Sequence, residues 1–453
     1  MLYLRPFPFS THVYMDFIAE LEWRGMLHQL TPGIQEHLAE APRRAYIGFD
    51  PTAPSLTIGN YVQVMLLLHW MRAGHEAVVL FGGATGRIGD PSFKEQERDL
   101  KSYEELDGNL AHQQRQMERL LGAGAGAGAG TGGRVTVVNN LDFYREMNVL
   151  DFLRDVGKTL TVNYMMSKDS VQTRLETGIS FTEFSYQLLQ GYDFQRLFAE
   201  RGVTVQMGGS DQWGNITSGT EFVRRNLEGK AYAVTTPLLT KADGSKFGKS
   251  AEGNIWLDPE LTSPYDFYQF WLRADDADLT KYLKYFSLRD REAILADCAV
   301  VEAHLAGEDR YREVTDIRTG LAAELTARIH GAAGLETAQR VTNLLWGRGA
   351  TPADLRALDA SAFRSLSGNI PTFEVAADLL PLPLLELLSE HSDVAGSKSE
   401  ARRAVQGNAI AVNKEKIADP DAEVTAADLL HDRFLMVENG KKKRYLFSVT
   451  RPQ

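Results

Sequence analysis

The first half of the chain alternates short apolar runs with longer amphipathic stretches, a pattern typical of strands joined by helices. Residues 45–49 are apolar, apolar side chains then recur at helical spacing over 56–70, and a second apolar run covers 76–82. We predict a strand, a helix and a second strand of a parallel sheet. The first turn would bring these residues to a helix N-terminus, where free N–H groups attract phosphate: Thr52, Thr57, Gly59 and Asn60. A purely structural turn is the alternative.

The same arrangement is predicted again further along the chain. Residues 203–207 form an apolar run followed by the glycine-containing turn GGSDQWGN and a helical stretch. Asp211 and Gln212 therefore follow the carboxyl end of a strand, where open parallel sheets bind ligands. A last strand over 232–239 leads into KADGSKFGKS, in which Lys246 and Lys249 suit a mobile arm that closes over an anion. Such lysine–glycine loops are also common on protein surfaces.

The clearest helix signal begins at Ser180, with Glu183 placed as its capping-box partner. Within this helix Tyr186, Gln190 and Asp193 stand at i, i+4 and i+7, so they share one face. A solvated face would normally carry lysine, arginine or glutamate, whereas these polar side chains lie among apolar ones. We therefore favour a pocket for a small ligand over a solvated face.

The remaining elements of this half are less informative about chemistry. A helix is predicted over 14–30, another over 106–121, a strand over 135–138 and short helical pieces over 149–178. The tract GAGAGAGAGTGG, residues 122–133, offers no side chains for a core, so it is predicted to be a flexible surface loop.

The second half of the chain has a different pattern. Residues 265–347 are helical by periodicity, which places a domain change near 255–264, and residues 352–371 form a less periodic linker. Two short helices over 383–389 and 397–405 precede a strand–turn–strand in AIAVNKEKI. Positive charge concentrates in this terminal part and indicates an RNA backbone as partner, although a solvated face is the commoner reading: Lys398, Arg402, Arg403, Lys414, Lys416, Lys441, Lys442, Lys443 and Arg444.

Composition limits the class of protein. The chain has 453 residues, enough for two or three domains, and 43% hydrophobic with 24% charged residues is typical of a soluble protein. Its formal net charge of −11 excludes a surface that is basic throughout. Cys298 is the only cysteine, so no internal disulfide is possible and a buried thiol is expected. No membrane span or secretory signal is predicted, and we expect a cytoplasmic protein.

Taken together, five segments in this order resemble the bacterial-type tyrosyl-tRNA synthetases, which are class I aminoacyl-tRNA synthetases. The resemblance rests on YIGFDPTAPSLTIGN, FGGATGRIGDPS, VNYMMSKDSVQTRLETGISFTEFSYQLLQGYDF, MGGSDQWGNITSG and KFGKS. Each segment alone is a weak signal, and together they are specific. TIGN and KFGKS stand where class I enzymes carry their HIGH and KMSKS signatures.

The resemblance implies an α/β fold with a Rossmann-like parallel-sheet catalytic domain, an α-helical domain and a small α+β RNA-binding domain. The implied boundaries are 1–255 for the catalytic domain, 256–350 for a helical anticodon-binding domain, 351–375 for a linker and 376–453 for the RNA-binding domain. This last domain resembles a small-subunit ribosomal protein fold. An insertion near 139–178 would form a homodimer.

The resemblance also implies roles for individual residues. Those around the substrate tyrosine would be Tyr46, Thr85, Asp90, Tyr186, Gln190, Asp193 and Gln206. Those around ATP would be Gly48, Asp50, Gly59, Gly209, Asp211, Gln212 and Lys249. Those acting on the phosphates during catalysis would be Thr52, Thr57, Asn60, Lys94, Arg98, Lys246 and Lys249. Mg²⁺ would arrive with ATP, no metal site made of protein side chains is expected, and the partners would be L-tyrosine, ATP and tRNA(Tyr).

The chemistry of these residues agrees with that assignment. A tyrosine carboxylate is ionised at neutral pH, so its attack on the α-phosphorus of ATP needs no general base. Negative charge builds on the departing pyrophosphate, where N–H groups, threonine hydroxyls and lysines stabilise it. Asp193 and Tyr46 would hold the substrate phenol, and phenylalanine would leave these buried groups unpaired. We therefore expect no editing domain.

One departure from the family motif keeps two rival readings open. Thr57 and Asn60 occupy positions where the family usually has histidine, and TIGN is a form associated with tryptophanyl-tRNA synthetases. A tryptophanyl enzyme is disfavoured by Tyr46 and Asp193, because indole offers a single N–H donor. The second rival is a non-catalytic RNA-binding paralogue. It is disfavoured because many expected site residues are present, including Thr52, Asp90, Gln190, Asp211, Lys246 and Lys249.

Overall fold

A computed structural model describes residues 15–92, 101–124, 135–175, 178–250, 253–347, 351–358, 360–440 and 443–450. Its contacts divide the chain into two compact units. The first unit comprises Met1–Asp258 and Ala274–Leu321, and the second comprises Pro259–Arg273 and Ala322–Gln453. Residues 274–321 thus belong with the sheet-bearing unit, while the predicted three-domain division remains a prediction.

Helices alternate with strands in the first unit, as predicted, and further helices follow in the rest of the chain. In chain order they are α1 Phe17–Arg24, α2 Ile34–Glu40, α3 Ile58–Arg72, α4 Tyr103–Gly124, α5 Val149–Asp151, α6 Val162–Met166, α7 Asp169–Leu175, α8 Phe181–Arg201, α9 Trp213–Leu227, α10 Pro264–Leu272, α11 Asp276–Phe286, α12 Arg291–Leu305, α13 Tyr311–Trp346, α14 Pro352–Arg356, α15 Ala360–Ser367, α16 Leu384–Ser389 and α17 Lys398–Gln406. The helical prediction for 265–347 is confirmed. Helix α13 is interrupted at Gly331, where φ is 78°.

A parallel sheet with one antiparallel edge strand forms the centre of the first unit. Its strands are β1 Gln29–Leu30, β2 Arg44–Phe49, β3 Glu76–Phe81, β4 Val135–Asn139, β5 Val203–Gly209 and β6 Tyr232–Thr236, in the order β1-β6-β5-β2-β3-β4. The central strands pair in parallel, and β1 pairs antiparallel with β6. This confirms the predicted parallel α/β sheet, with helices as crossovers.

Side chains from the sheet and from α8 and α9 form one buried core on a face of this sheet. Tyr46 of β2 packs its ring edge-on against Phe194 of α8 at 5.3 Å. Gly191 lets α8 and α9 approach closely, because a Cβ there would stand 2.5 Å from the Phe222 ring. The polar face of α8 is thereby fixed relative to the strand ends.

Three predicted boundaries were wrong. The N-terminal helix predicted over 14–30 ends at Arg24, because Gly25 adopts a left-handed conformation with φ 70°, and Gln29–Leu30 join the sheet edge as β1. Strand β6 ends at Thr236, not at residue 239. The first residues of the glycine–alanine tract complete α4, while residues 125–133 of the predicted loop lie outside the described residues.

The second unit combines helices with a small mixed sheet. Its strands are β9 Thr372–Ala376, β10 Leu382–Pro383, β11 Ile410–Val412, β12 Glu415–Lys416, β13 Glu423–Val424, β14 Phe434–Asn439 and β15 Lys443–Thr450. Five of them form a sheet in the order β12-β11-β14-β15-β9, in which β15 and β9 are parallel. The predicted pair of short helices and the strand–turn–strand are confirmed as α16, α17, β11 and β12. The predicted linker contains α14, α15 and the start of β9.

Two further expectations concern the whole chain. Cys298 of α12 is buried, as predicted. Within the part of the chain that the structure describes, no helix is both long and apolar enough to cross a membrane.

In the first unit, β7 Lys249–Ser250 and β8 Gly253–Asn254 form a short antiparallel hairpin.

Candidate active site

A cleft of about 340 Å³ opens at the carboxyl ends of the parallel strands β2, β3 and β5. All seven residues predicted around the amino acid line it: Tyr46, Thr85, Asp90, Tyr186, Gln190, Asp193 and Gln206. So do most of those predicted around ATP and its phosphates: Gly48, Asp50, Thr52, Gly59, Asn60, Gly209, Asp211 and Gln212. Residues far apart in the sequence are thus brought to one place.

Helix α8 presents Tyr186, Gln190 and Asp193 to this cleft on one face, as their spacing predicts. Its N-cap is Ser180, whose hydroxyl accepts the Glu183 N–H at 3.2 Å. The Glu183 carboxylate was predicted to complete a capping box. It forms a buried bidentate ion pair with Arg174, at 3.1 and 3.0 Å. A tertiary partner with two N–H donors outcompetes the local backbone for a buried carboxylate.

Asp193 lies at the closed end of the cleft and is 1% exposed. Its Oδ1 accepts the Tyr144 hydroxyl at 2.8 Å, and its Oδ2 accepts Nδ2 of Asn140 at 2.9 Å. Burial raises the pKa of this carboxyl to about 7, although both hydrogen bonds act to lower it. Asn140 and Tyr144 were missed from the sequence. Their signal is that they directly follow β4, at the same sheet edge as the other site residues.

Asp50 forms a second carboxylate centre near the first. Oδ1 accepts the Thr85 hydroxyl at 2.7 Å, and Oδ2 accepts the Tyr186 hydroxyl at 2.9 Å. Nδ2 of Asn140 also donates to Oγ1 of Thr85 at 3.1 Å. A continuous set of hydrogen bonds therefore runs from Asp50 through Thr85 and Asn140 to Asp193.

Asp90 and Asp211 make another part of the cleft acidic. Oδ2 of Asp90 accepts Nε2 of Gln212 at 2.8 Å, and its Oδ1 accepts the Ser92 N–H at 3.0 Å. The pKa of Asp211 is raised, first by burial and then by the negative charge of Asp90. Cationic or hydroxyl-bearing groups of a ligand would stabilise these carboxylates.

Several buried polar atoms in the cleft have no hydrogen-bond partner among the described residues: the Tyr46 hydroxyl and Oε1 of Gln63, Gln113, Gln190 and Gln206. Burial and the charge of Asp193 raise the pKa of Tyr46, which keeps its hydroxyl protonated. Gln63 and Gln113 were missed from the sequence, and their amide nitrogens are held by Oγ1 of Thr236 at 3.1 Å and the Ala53 carbonyl at 2.7 Å. Unpaired buried polar atoms are costly, so this cleft is shaped for a polar ligand.

Helix α4 fixes the turn that leads from β2 into α3. Asn109 donates to the Pro51 carbonyl at 3.1 Å, and Gln113 donates to that of Ala53. Oε1 of Gln116 accepts the Leu56 N–H at 3.0 Å. Three amide side chains spaced along one helix face thus satisfy the polar backbone of the turn.

Thr57 and Asn60 bond to each other at the start of α3. The Asn60 side-chain oxygen accepts the Thr57 N–H at 3.0 Å and the Thr57 hydroxyl at 2.8 Å, while Oγ1 of Thr57 accepts the Asn60 N–H at 3.3 Å. This is a reciprocal capping box. The two residues that depart from the family's histidines therefore rigidify the helix terminus, and Asn60 also lines the cleft.

The KFGKS segment packs beside this terminus. Phe247 is buried, with ring centroids 5.3 Å from Tyr282 and 5.5 Å from Phe286. Lys246 and Lys249 are exposed and do not belong to the cleft lining of the described residues. Lys94 and Arg98, also predicted to contact phosphates, lie outside the described residues.

Many of the basic residues of the second unit form ion pairs or hydrogen bonds with other residues of that unit. Lys398 pairs with Glu386 and Glu390, and Arg402 pairs with Asp421. Lys414 and Arg444 both pair with Glu438, at 2.7 and 3.1 Å. Nζ of Lys416 donates to the Asn408 carbonyl, Arg403 and Lys443 are exposed, and Lys441 and Lys442 lie outside the described residues. The positive charge is thus partly neutralised.

Comparison with known proteins identifies the family. The protein-family model described as tRNA synthetases class I (W and Y) matches residues 38–347 of the chain. A second family model, for the tyrosine–tRNA ligase SYY-like C-terminal domain, matches residues 362–447. A tyrosine–tRNA ligase of Cytophaga hutchinsonii is 48% identical over 435 residues, which covers 95% of this chain and 99% of that protein. One of Porphyromonas gingivalis is 44% identical over 441 residues, covering 96% and 100%.

Solved structures agree with this result. A C-terminally truncated mitochondrial tyrosyl-tRNA synthetase of Aspergillus nidulans matches with a TM-score of 0.64 and 30% identity, covering 73% of this chain and 94% of that one. The sheet order, the cleft and the sequence likeness over nearly the whole chain lead to the same assignment. The chain belongs to the tyrosine–tRNA ligase family of class I tRNA synthetases.

Proposed function

We propose that this protein activates L-tyrosine with ATP and transfers it to the 3′-terminal ribose of tRNA(Tyr). In the first step a tyrosine carboxylate oxygen bonds to the α-phosphorus of ATP and pyrophosphate leaves. In the second step a ribose hydroxyl attacks the carbonyl of the adenylate, and AMP leaves. The observation that carries the proposal is the closed end of the cleft, where the Tyr46 hydroxyl has no partner among described residues and Asp193 is buried beside it.

These two groups suit a phenol better than any other amino-acid side chain. A phenol can donate its proton to Asp193 and accept one from Tyr46. Phenylalanine would leave the Tyr46 hydroxyl unpaired, at a cost of about 1–3 kcal/mol, and would give Asp193 no donor beyond Asn140 and Tyr144. Indole has one donor and no acceptor, so tryptophan would leave Tyr46 unpaired. We place the ammonium group of the substrate near Asp90 and Gln190, which line the same cleft.

We assign the nucleotide to the part of the cleft near the start of α3. Thr52 and Asn60 line it there, and the helix N-terminus offers free N–H groups to phosphates. Lys246 and Lys249 would stabilise charge on the pyrophosphate after movement of their exposed side chains, while Phe247 and Gly248 between them stay buried. Mg²⁺ would be carried by the ATP phosphates, whose charge it would partly neutralise.

We also propose that the protein is a cytoplasmic homodimer formed through the segment 139–178. In this segment Val149 and Leu150 are 71% and 74% exposed, and Leu153 and Val162 are more than half exposed. Exposed apolar side chains concentrated in one segment are typical of an interface. The second unit would bind tRNA through its exposed basic residues, among them Arg403 and Lys443.

ATP–pyrophosphate exchange with tyrosine, tryptophan and phenylalanine tests the proposal. Exchange should depend on tyrosine and should be lost in Asp193→Ala, while that variant still binds tRNA. Exchange supported only by tryptophan would show that the amino-acid assignment is wrong. If no amino acid supports exchange, the protein is a non-catalytic RNA-binding paralogue.

A further inference from the structure

The hydroxyl of Tyr144 lies between two acceptors. Its oxygen is 2.8 Å from Oδ1 of Asp193 and 2.9 Å from the carbonyl oxygen of Leu189. A phenol carries one proton, so Tyr144 donates to one of them at a time. Which acceptor receives the proton therefore depends on the state of Asp193.

The other oxygen of Asp193 is committed to a donor. Oδ2 accepts Nδ2 of Asn140 at 2.9 Å, and the Ala84 N–H donates to Oδ1 of Asn140 at 2.7 Å, which fixes the orientation of that amide. The carbonyl oxygen of a neutral carboxyl group is a stronger acceptor than its hydroxyl oxygen, so Oδ2 stays the carbonyl oxygen that accepts from the fixed Asn140 amide, and the proton of neutral Asp193 lies on Oδ1, facing Tyr144. In that neutral state Asp193 donates to Tyr144 and Tyr144 donates to Leu189. In the ionised state Tyr144 donates to Asp193.

We propose that Tyr144 is a positioning residue for amino-acid selection, which switches its hydrogen bond from Leu189 to Asp193 and so presents an ionised carboxylate to the substrate phenol. This rests on the proposed activation of tyrosine. The substrate phenol becomes a third donor to Asp193, after Asn140 and Tyr144, so tyrosine binds to the ionised form. Binding to the neutral form must therefore be accompanied by release of its proton.

The surroundings make Asp193 the group that titrates. The titratable groups facing it are Tyr46 of β2, Asp50 after that strand, Tyr144 after β4 and Tyr186 of α8. Burial raises the pKa of all three tyrosines, which keeps them neutral. Burial raises the pKa of Asp193 to about 7, the Asn140 and Tyr144 bonds lower it, and the charge of Asp50 raises it further. Tyrosine affinity should fall as the pH drops through 7.

The test compares Tyr144→Phe with Tyr192→Phe in tyrosine-dependent exchange between pH 6 and 9. Tyr192 is a matched control, because its ring lies 5.7 Å from that of Tyr144 but its hydroxyl accepts from Arg196. Loss of the Tyr144 donor should move the midpoint of the KM profile up by about one pH unit. The ionised fraction at pH 7 then drops from one-half to one-tenth, and KM for tyrosine rises about fivefold with little change in kcat.

The outcomes separate the two proposals. If Tyr144→Phe has the same pH profile as Tyr192→Phe, the inference is wrong, although the proposed function stands. If the unaltered protein shows no tyrosine-dependent exchange, the proposed function itself fails. A loss of kcat equal at every pH would indicate a merely structural role and would also overturn the inference.

A measurement on the unaltered protein keeps the inference testable if Tyr144→Phe does not fold. Calorimetric titration with tyrosine in two buffers of different ionisation enthalpy gives the number of protons released. We expect about half a proton per tyrosine bound at pH 7 and about one-tenth at pH 8, where the substrate ammonium group is still protonated. Absence of proton release at pH 7 would contradict the proposed switch.

Discussion

Gly248 and Ile58 are so close that no side chain fits between them. A Cβ on Gly248 would stand 2.7 Å from Cγ2 of Ile58 and 3.3 Å from the Gly59 nitrogen. Two backbone hydrogen bonds fix the same contact. The Ile58 N–H donates to the Ile255 carbonyl at 2.9 Å, and the Ile255 N–H donates to the Gly248 carbonyl at 3.1 Å. The KFGKS segment therefore docks directly on the first turn of α3.

The first prediction concerns this contact. Gly248→Ala should push the segment off α3 and reduce the rate of adenylate formation at least about tenfold, because the lysines lose their positions relative to the phosphates. Gly244→Ala is the matched control. Gly244 has almost the same φ, +81° against +82°, but no atom lies within 4 Å of its Cβ position. Both variants bear a left-handed strain of about 1 kcal/mol, so equal loss of rate in both would refute the packing argument.

The second prediction concerns the capping box of α3. Thr57→Ala removes the side-chain cap and frees Asn60, so the N–H groups of the first turn lose their fixed direction. Adenylate formation should slow about tenfold, with little change in KM for tyrosine. Thr351→Ala removes an equivalent capping box from α14 in the second unit. Each variant should lose about 1 kcal/mol of stability, but only Thr57→Ala should slow the single-turnover rate.

The third prediction concerns the buried ion pair beneath the α8 N-terminus. In Glu183→Gln, Arg174 keeps its charge in a buried place, so the free energy of unfolding should fall by about 3 kcal/mol. Glu200→Gln removes an exposed i, i+4 pair with Arg196 from the same helix. Its effect should stay below about 0.5 kcal/mol in the same urea titration. Similar losses in the two variants would mean that burial of the pair is unimportant.

The fourth prediction concerns the exposed apolar side chains of segment 139–178. Leu150→Asp should convert a dimer into monomers in sedimentation velocity, with the dissociation constant raised at least about tenfold, because a charge would be buried in the interface. Leu305→Asp places the same charge on an exposed leucine of α12. The proposal fails if Leu150→Asp remains dimeric, or if Leu305→Asp dissociates equally.

Periodicity and strand-end chemistry predicted the sheet, α8 and part of the cleft lining, while other lining residues, such as Tyr46, Asp50 and Thr85, were implied only by the family resemblance. Local signals were sufficient there, because the polar face of α8 and the turns after β2 and β5 are each continuous in sequence. Asn140, Tyr144, Gln63 and Gln113 could not be found in this way. Their role depends on hydrogen bonds to residues that are distant in sequence, such as Asp193 and Thr236, and tertiary packing brings these partners together.

Two sites, Glu183 and the Thr57–Asn60 pair, show the limit of local rules in opposite directions. At Glu183 the capping-box rule predicted a bond to the preceding backbone, but the carboxylate forms an ion pair with Arg174, nine residues earlier in the chain. At Thr57 and Asn60 the reverse holds. They were interpreted through a catalytic motif, whereas their contacts are those of a local cap. The spacing T-x-x-N would predict this capping box from the sequence if asparagine were accepted, beside glutamate and glutamine, three residues after the N-cap.

The amides of α4 have a consequence for protein engineering. Asn109, Gln113 and Gln116 hold the turn that precedes α3, although they are more than fifty residues away in sequence. If this turn were grafted alone into a relative that lacks these three amides, its buried carbonyls and one N–H would have no counterpart. The turn and the middle of α4 therefore form one exchangeable module, and libraries that vary only the turn should yield few active clones.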